Sequence, residues 1–451
     1  MSDLLNVAPA ELVFHVDEPR ISPDGAVIEL DYRIAHVSTV GPVAAFTEVV
    51  TLPAVESPVP VGDGFRALAR LLALAAGTSY YKALVPATIS VAGGLDPAER
   101  HFLAEVVKGG LAEFAFRNDL PDALFPTITA PERPAPAAAA VAPTHARALV
   151  AVGGGKDSIV TLEAVRRMAD VELFSVNSYE PITRTAEASG LPIAQASRKL
   201  DPALFALNEA GAHNGHVPVT AVNSLIACLT ALRGGQDTVV FANEASSSYG
   251  NLEWHGVEVN HQWSKGIGFE GLLREAVSPY GVDYVSFLRP LTELAIVRRF
   301  AQLPYLDVFT SCNRAFHLDA SRRRNWCGEC PKCTFVFLML SPFVPASQML
   351  AIFGKDLFAD GVDGGPLRHL FLDLLAIGDG HKPFECVGEP SECRAAYTLL
   401  QDHPDWSTHP FVTDRALREA VVTDAEVEAL FTFSDQHFLT GALEKAAREV
   451  L

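Results

Sequence analysis

Six consecutive residues, Gly153-Gly154-Gly155-Lys156-Asp157-Ser158, carry the most specific chemistry in this chain. Glycines let a backbone adopt positive φ and bring its N–H groups close to a ligand. Where such a turn opens a helix, the positive helix end, the Lys156 ammonium and the Ser158 hydroxyl converge into a cradle for an anion, and phosphate suits it. The run fits neither G-x-x-x-x-G-K-[ST] nor G-x-G-x-x-G, the two commonest phosphate-binding spacings. A tight strand-to-helix turn without a ligand is the plainer alternative.

A second cluster is built on sulfur. Cys312, Cys327, Cys330 and Cys333 form C-x14-C-x2-C-x2-C. Two thiolates from one tight turn, paired with two more, satisfy a tetrahedral Zn²⁺, so these four are the candidate metal ligands. Reactive thiols and a disulfide are the rival readings, and Cys312 or Cys330 as a catalytic base without metal belongs among them. Cys228 falls on an apolar helix face and reads as core, whereas Cys386 and Cys393 receive no role.

Residues 243–270 are polar and aromatic beyond what a connection needs: Asn243, Glu244, three serines, His255, His261, Trp254, Trp263, Lys265 and Glu270. Such a stretch after a strand suggests a substrate loop. Arg322-Arg323-Arg324 reads either as a second phosphate site or as a solvated basic turn. His213, His216 and His317 show no metal-binding spacing.

The glycine turn resembles the PP-loop of the ATP pyrophosphatase superfamily, S-G-G-x-D-S. Gly154, Gly155, Asp157 and Ser158 match it, while Gly153 stands where that motif has serine. Pro218-Val219-Thr220-Ala221-Val222-Asn223-Ser224, then Asn243-Glu244, Pro290-Leu291-Thr292-Glu293 and the cysteines continue a parallel with PP-loop synthetases such as cyano-deazaguanine synthase. Val152–Ser158, Asn243–Ser248, Val259–Gln262 with Ser264-Lys265, and Trp326-Cys327-x-x-Cys330-Pro331-Lys332-Cys333 resemble a narrower group, the ATP-dependent UDP-N-acetylmuramoyl-L-alanyl-L-glutamate epimerases of bacterial cell-wall synthesis.

That resemblance implies ATP and Mg²⁺ as cofactors and a nucleotide-sugar peptide as substrate; structural Zn²⁺ remains the expectation of the cysteine spacing, and cyano-deazaguanine synthase carries a similar cluster. ATP would be held by Gly153, Gly154, Gly155, Lys156, Asp157, Ser158, Asn243 and Glu244. It implies an inversion at the terminal glutamate by proton removal and return, for which His261, Lys265, Glu270 and Cys312 are the acid–base candidates. The sequence does not choose among them. Another PP-loop adenylating synthetase (amide, nitrile or thiolation type) and a non-catalytic nucleotide-binding protein are the alternative functions.

The elements that must position these groups follow from periodicity. Leu12–Val16 and Val27–Tyr32 alternate as strands, and Phe65, Leu68, Leu71, Leu72 and Leu74 space a helix over 64–84. A second helix is expected from Pro97 to Phe116, and 1–130 reads as an α+β domain. The run 131–146, rich in Pro and Ala, reads as a linker. From Arg147 onward, apolar runs at 148–152, 171–176 and 239–242 alternate with helices at 158–168 and 222–232, the pattern of a doubly wound parallel sheet. The expected architecture is therefore α/β: a PP-loop-type sheet over 147–340, preceded by the N-terminal domain and followed by a mostly helical region, 341–451. The N-terminal domain is expected to grip the UDP-sugar end or to close over the site.

Composition bounds the whole. Across 451 residues, 49% hydrophobic content excludes disorder as the main state, and a net charge of −19 argues against a nucleic-acid-coating protein. No export signal and no apolar run of membrane-spanning length is expected, which points to a cytoplasmic protein with reduced thiols. The sequence leaves the oligomeric state open.

Overall fold

The sheet is organised around the apolar run that precedes the glycine turn. In the computed structural model, which describes residues 7–38, 41–135, 143–317 and 319–451, that run is β7 (Arg147–Ala151). The other strands are β1 (Leu12–Val16), β2 (Arg20–Ile21), β3 (Val27–His36), β4 (Pro42–Thr51), β5 (Thr88–Val91), β6 (Thr127–Thr129), β8 (Asp170–Val176), β9 (Ile193–Lys199), β10 (Thr238–Phe241), β11 (Leu252–Trp254), β12 (Val257–Val259) and β13 (Asp283–Ser286). Eleven of the strands form one sheet in the order β13-β10-β7-β8-β9-β4-β3-β1-β5-β6, with β2 on β3. β11 and β12 form a separate hairpin.

From β13 to β9 every pairing is parallel. The chain runs outward from β7 through β8 to β9, then crosses back to β10 and β13 on the other side. This reversal creates a crevice at the C-terminal ends of β7 and β10, the place where open α/β sheets bind ligands. Side chains alternate between two cores: Leu149, Phe174 and Val239 face one, Ala148, Val150, Leu173 and Val240 the other. The first core is closed by helix Val219–Gly234 packed on helix Asp63–Tyr81, the second by helices Lys156–Val165, Glu293–Phe300 and Pro331–Leu340. Short helices after Ser341 complete the second core.

The sheet continues into the N-terminal part of the chain. β9 pairs antiparallel with β4 from Val49↔Lys199 to Thr51↔Ser197. Beside that seam Arg198 grips the fully buried Glu48 carboxylate at 2.7 and 3.1 Å, and Tyr80 donates to it at 3.0 Å. Where 131–146 reads as a linker, residues 136–142 lie outside the described residues. Leu95 and Glu132 still form a β-bridge at its start.

The helix expected over 97–116 is two helices, Pro97–Gly110 and Ala112–Asn118. The break follows Gly109-Gly110, where a Cβ would fall 2.0 Å from the Trp263 ring nitrogen and 2.7 Å from Pro218 Cγ respectively. Glycine permits that approach and weakens the helix there. The second helix carries Glu113 to His261 and His216.

Candidate active site

The glycine turn is fixed by its surroundings. Gly154 has φ +81°, and a Cβ there would lie 2.7 Å from the Pro181 carbonyl carbon, so only glycine fits. Its carbonyl accepts the Thr310 N–H at 3.0 Å, tying the turn to the segment leading to Cys312. Gly155 is the N-cap of helix Lys156–Val165, and no side chain caps it. First-turn N–H groups therefore remain available at the positive helix end. Nothing lies within 4 Å of a Cβ at Gly153, so that position has room for the serine of the PP-loop motif.

The Lys156 ammonium is buried between Asp157, at 2.5 Å, and Glu293. Burial alone would lower its pKa, but the two carboxylates outweigh this and hold the ammonium charged. Ser158 donates its hydroxyl to the Gly155 carbonyl at 2.9 Å, closing the first turn.

A cavity of about 520 Å³ opens at the crevice above this turn. Gly153, Gly155, Lys156, Asp157 and Ser158 line it from the end of β7, Asn243 and Glu244 from the end of β10, and Thr220 and Asn223 from the start of helix Val219–Gly234. Asn243 donates to Ser286 Oγ at 3.0 Å, and the buried Glu244 accepts from Ser246 Oγ at 3.1 Å. Beneath them, the buried Arg289 donates to Ser247 Oγ at 2.9 Å, to Ser248 Oγ at 3.0 Å and to the Lys265 carbonyl. Its Nε meets Glu270 at 3.0 Å, and Glu270 also accepts the Ser286 N–H at 2.7 Å. Arg289 and Glu270 thus hold the polar loop in shape, and the three serines are the loop's anchors.

A second cavity of about 370 Å³ adjoins the first, and the two share Thr220, Gln262, Lys265 and Cys386. Lys265 Nζ lies 3.3 Å from Cys386 Sγ. His261 meets the Glu113 carboxylate at 2.6 Å through Nδ1, and its charge acts on Cys386. Burial pushes the Cys386 thiol up, but Lys265, Lys332 and His261 outweigh it and bring it to about 6. Burial likewise would lower His261, yet Cys386 and Glu113 raise it to about 9. His216, with its ring centroid 4.6 Å from that of His261, is instead pushed down to about 4 by burial and by the His261 charge. Glu113, His216 and His261 place three ligand atoms within 4.8 Å of one another. Arg117 binds Glu113 at 2.7 Å and Lys265 lies close by, so cationic side chains already answer the carboxylate.

Cys312, Cys327, Cys330 and Cys333 converge, with all four sulfurs within 4.8 Å of one another. Cys327 and Cys330 lie 3.7 and 3.5 Å from Cys333, and all four thiols are free. Sulfurs around a tetrahedral ion with ~2.3 Å bonds sit about 3.8 Å apart, so the set has the size of a zinc site. It lies outside both cavity linings but carries Lys332 and Phe335 into the first. Lys332 donates to Asn313 at 3.2 Å, and Asn313 donates to Glu385 at 2.8 Å, next to Cys386.

Of the expected site residues, Lys265 and seven of the eight turn and loop positions (Gly153, Gly155, Lys156, Asp157, Ser158, Asn243 and Glu244) line the first cavity. Gly154 supports the turn from behind, and His261 lines the second cavity. Glu270 and Cys312 line neither cavity, nor do Arg322–Arg324. Glu113 is an addition that no spacing announced; Glu293 and Lys332 stand inside motifs quoted for the resemblance but without a role, and Cys386 had been given none.

Two family models cover most of the chain: the MurL N-terminal domain over residues 7–287 and the MurL C-terminal domain over 308–430. The chain is 47% identical to a UDP-N-acetyl-alpha-D-muramoyl-L-alanyl-L-glutamate epimerase of Micromonospora sp., covering 89% of this chain and 90% of that protein. It is 45% identical to one from Salinispora tropica, covering 86% and 85%, and 42% identical to one from Xanthomonas oryzae pv. oryzae, covering 84% and 85%. No solved structure matches it.

Proposed function

Because the chain belongs to the MurL family, we propose that it is a cytoplasmic epimerase that converts UDP-N-acetylmuramoyl-L-alanyl-L-glutamate into its D-glutamyl isomer with consumption of ATP. The observation that carries this reading is the meeting of the two cavities at Thr220, Gln262, Lys265 and Cys386. One holds an uncapped helix end and an anion-sized glycine turn. The other holds groups able to move a proton.

The chemistry explains why both are needed. Removing a proton beside a carboxylate piles two negative charges onto one group. ATP, when bound, supplies an adenylyl group that neutralises the terminal carboxylate and lets it accept carbanion density. In this chain Gly153, Gly154, Gly155, Lys156, Asp157 and Ser158 would hold the phosphates through N–H groups and the ammonium. Asp157 and Glu244, carboxylates facing the same cavity, would hold Mg²⁺, and Asn243 would orient the nucleotide or the glutamate. Lys265 and His261, both cationic, would bring positive charge to the junction of the two cavities, where it stabilises negative charge as it develops. Hydrolysis then releases AMP and the product. Glu270, engaged with Arg289, and Cys312, engaged with three other thiols, have no part in this proposal as acids or bases. The four cysteines would hold structural Zn²⁺, keeping Lys332 over the cavity.

The test uses UDP-N-acetylmuramoyl-L-alanyl-L-glutamate, ATP and Mg²⁺ in D₂O. AMP, deuterium at the glutamate α-carbon and a D-glutamyl product are expected. AMP without deuterium would keep ATP activation and discard the inversion. The absence of both would remove this substrate.

A further inference from the structure

We propose that Cys386 is a catalytic residue that exchanges the glutamate α-proton on one face of the carbon, with His261 and Glu113 as its positioning residues. The proposal rests on the epimerase reading above and names a group which that reading leaves out.

Three observations carry it. Cys386 is the only cysteine in the linings of the two described cavities, and it sits where they join, between the phosphate cradle and the second chamber. Its sulfur lies 3.3 Å from Lys265 Nζ and also feels the Lys332 ammonium and the His261 imidazole. Behind His261 stands Glu113 at 2.6 Å, in the order thiol, imidazole, carboxylate. His216 flanks the imidazole, and Glu244 and Asp157 face Lys265 from the first cavity.

That order of groups is one established way to make a thiol react as a thiolate, because the carboxylate orients the imidazole and the imidazolium stabilises the sulfur anion. A cysteine kept only for packing looks different. Cys228 and Cys393 are enclosed by the cores: burial alone drives the Cys228 thiol up, and at Cys393 burial and the neighbouring carboxylates outweigh Lys382 and do the same. The Cys386 environment does the reverse: the half-buried Lys265 and His261 bring positive charge beside the sulfur and favour its ionised form.

The step balances without a further reagent. The α-carbon's C–H bond breaks, its electron pair moves into the activated carboxyl group, and the proton bonds to Cys386 Sγ. The carbanion takes a proton from water on the opposite face, and Cys386 then returns its own proton to solvent, so none is gained or lost overall.

The experiment has two arms on the full-length protein. In the first, wild-type protein without substrate is alkylated with iodoacetamide across pH, and the Cys386 peptide is read by mass spectrometry. The expected midpoint is about 6, moving upward in His261→Asn and in Glu113→Gln. A midpoint at the ~8.5 of an ordinary thiol overturns the proposal. In the second, Cys386→Ser is assayed in D₂O with the substrate, ATP and Mg²⁺. AMP should still form while the D-glutamyl product falls by ~10²–10⁴-fold, the usual range for losing a positioned acid–base group. Epimerisation within a few fold of wild type overturns the proposal. So does loss of AMP formation in a folded variant, which would place Cys386 in nucleotide handling instead. If wild-type protein makes neither AMP nor D-isomer, the epimerase reading fails and takes this step with it. The alkylation midpoint, which needs no substrate, tells that failure apart.

Discussion

At the scale of single residues, the two carboxylates Glu113 and Glu270 show how burial and partners divide labour. Glu270 lies among polar residues that invite a catalytic reading, yet its side chain is spent on Arg289 and the Ser286 N–H. Glu270→Ala strands a guanidinium that is 2% exposed, which should cost about 3–5 kcal/mol. Thermal denaturation of the variant checks this; a melting temperature equal to wild type would return Glu270 to the list of acid–base candidates. Glu113 belongs to a part of the sequence with no recognisable chemistry. The phosphate cradle was legible because its residues are adjacent. The thiol relay was not, since Glu113 and His261 are 148 residues apart, and Lys265 and Cys386 are 121 apart. The only local hint was a polar segment richer than a connection requires.

At the scale of elements, buried strands announced themselves as apolar runs, and β7, β8 and β10 lie within a residue or so of expectation. β9 was not visible, because Ile193–Lys199 alternates small and polar side chains and gains its place only by pairing with β8 and β4. The helix expected over 97–116 is broken rather than continuous for the converse reason: its glycine pair answers to Trp263 and Pro218, which lie far along the chain. The glycine turn separates two kinds of constraint. Gly154→Ala forces a side chain into positive φ against the Pro181 backbone and should cost about 1–3 kcal/mol while displacing the first turn of helix Lys156–Val165. Gly153→Ser enters open space and should leave the melting temperature unchanged. Measured side by side, equal destabilisation would refute the account of the turn.

At the scale of the molecule, one sheet runs through segments that composition alone separates. The seam between β4 and β9 is the joint, and Glu48 with Arg198 is its buried ion pair. Glu48→Ala should destabilise the protein by about 3–5 kcal/mol and expose both segments to protease together. Selective loss of one would show them to be independent. Among the described residues no helix is long and apolar enough to cross a membrane. The site draws on the whole length as well: Glu113 comes from before the Pro/Ala run, His261 from the sheet's crevice loop, and Cys386 from the C-terminal helical region. The seam also bears on how the chain is made. Synthesis proceeds from the N-terminus, so β4 leaves the ribosome with an open edge and an unanswered Glu48, and Arg198 follows 150 residues later. At about 5–20 residues per second, that interval is on the order of ten to thirty seconds. For that time the nascent N-terminal half presents an unpaired strand and an unneutralised charge, and is at its most dependent on whatever shields emerging chains.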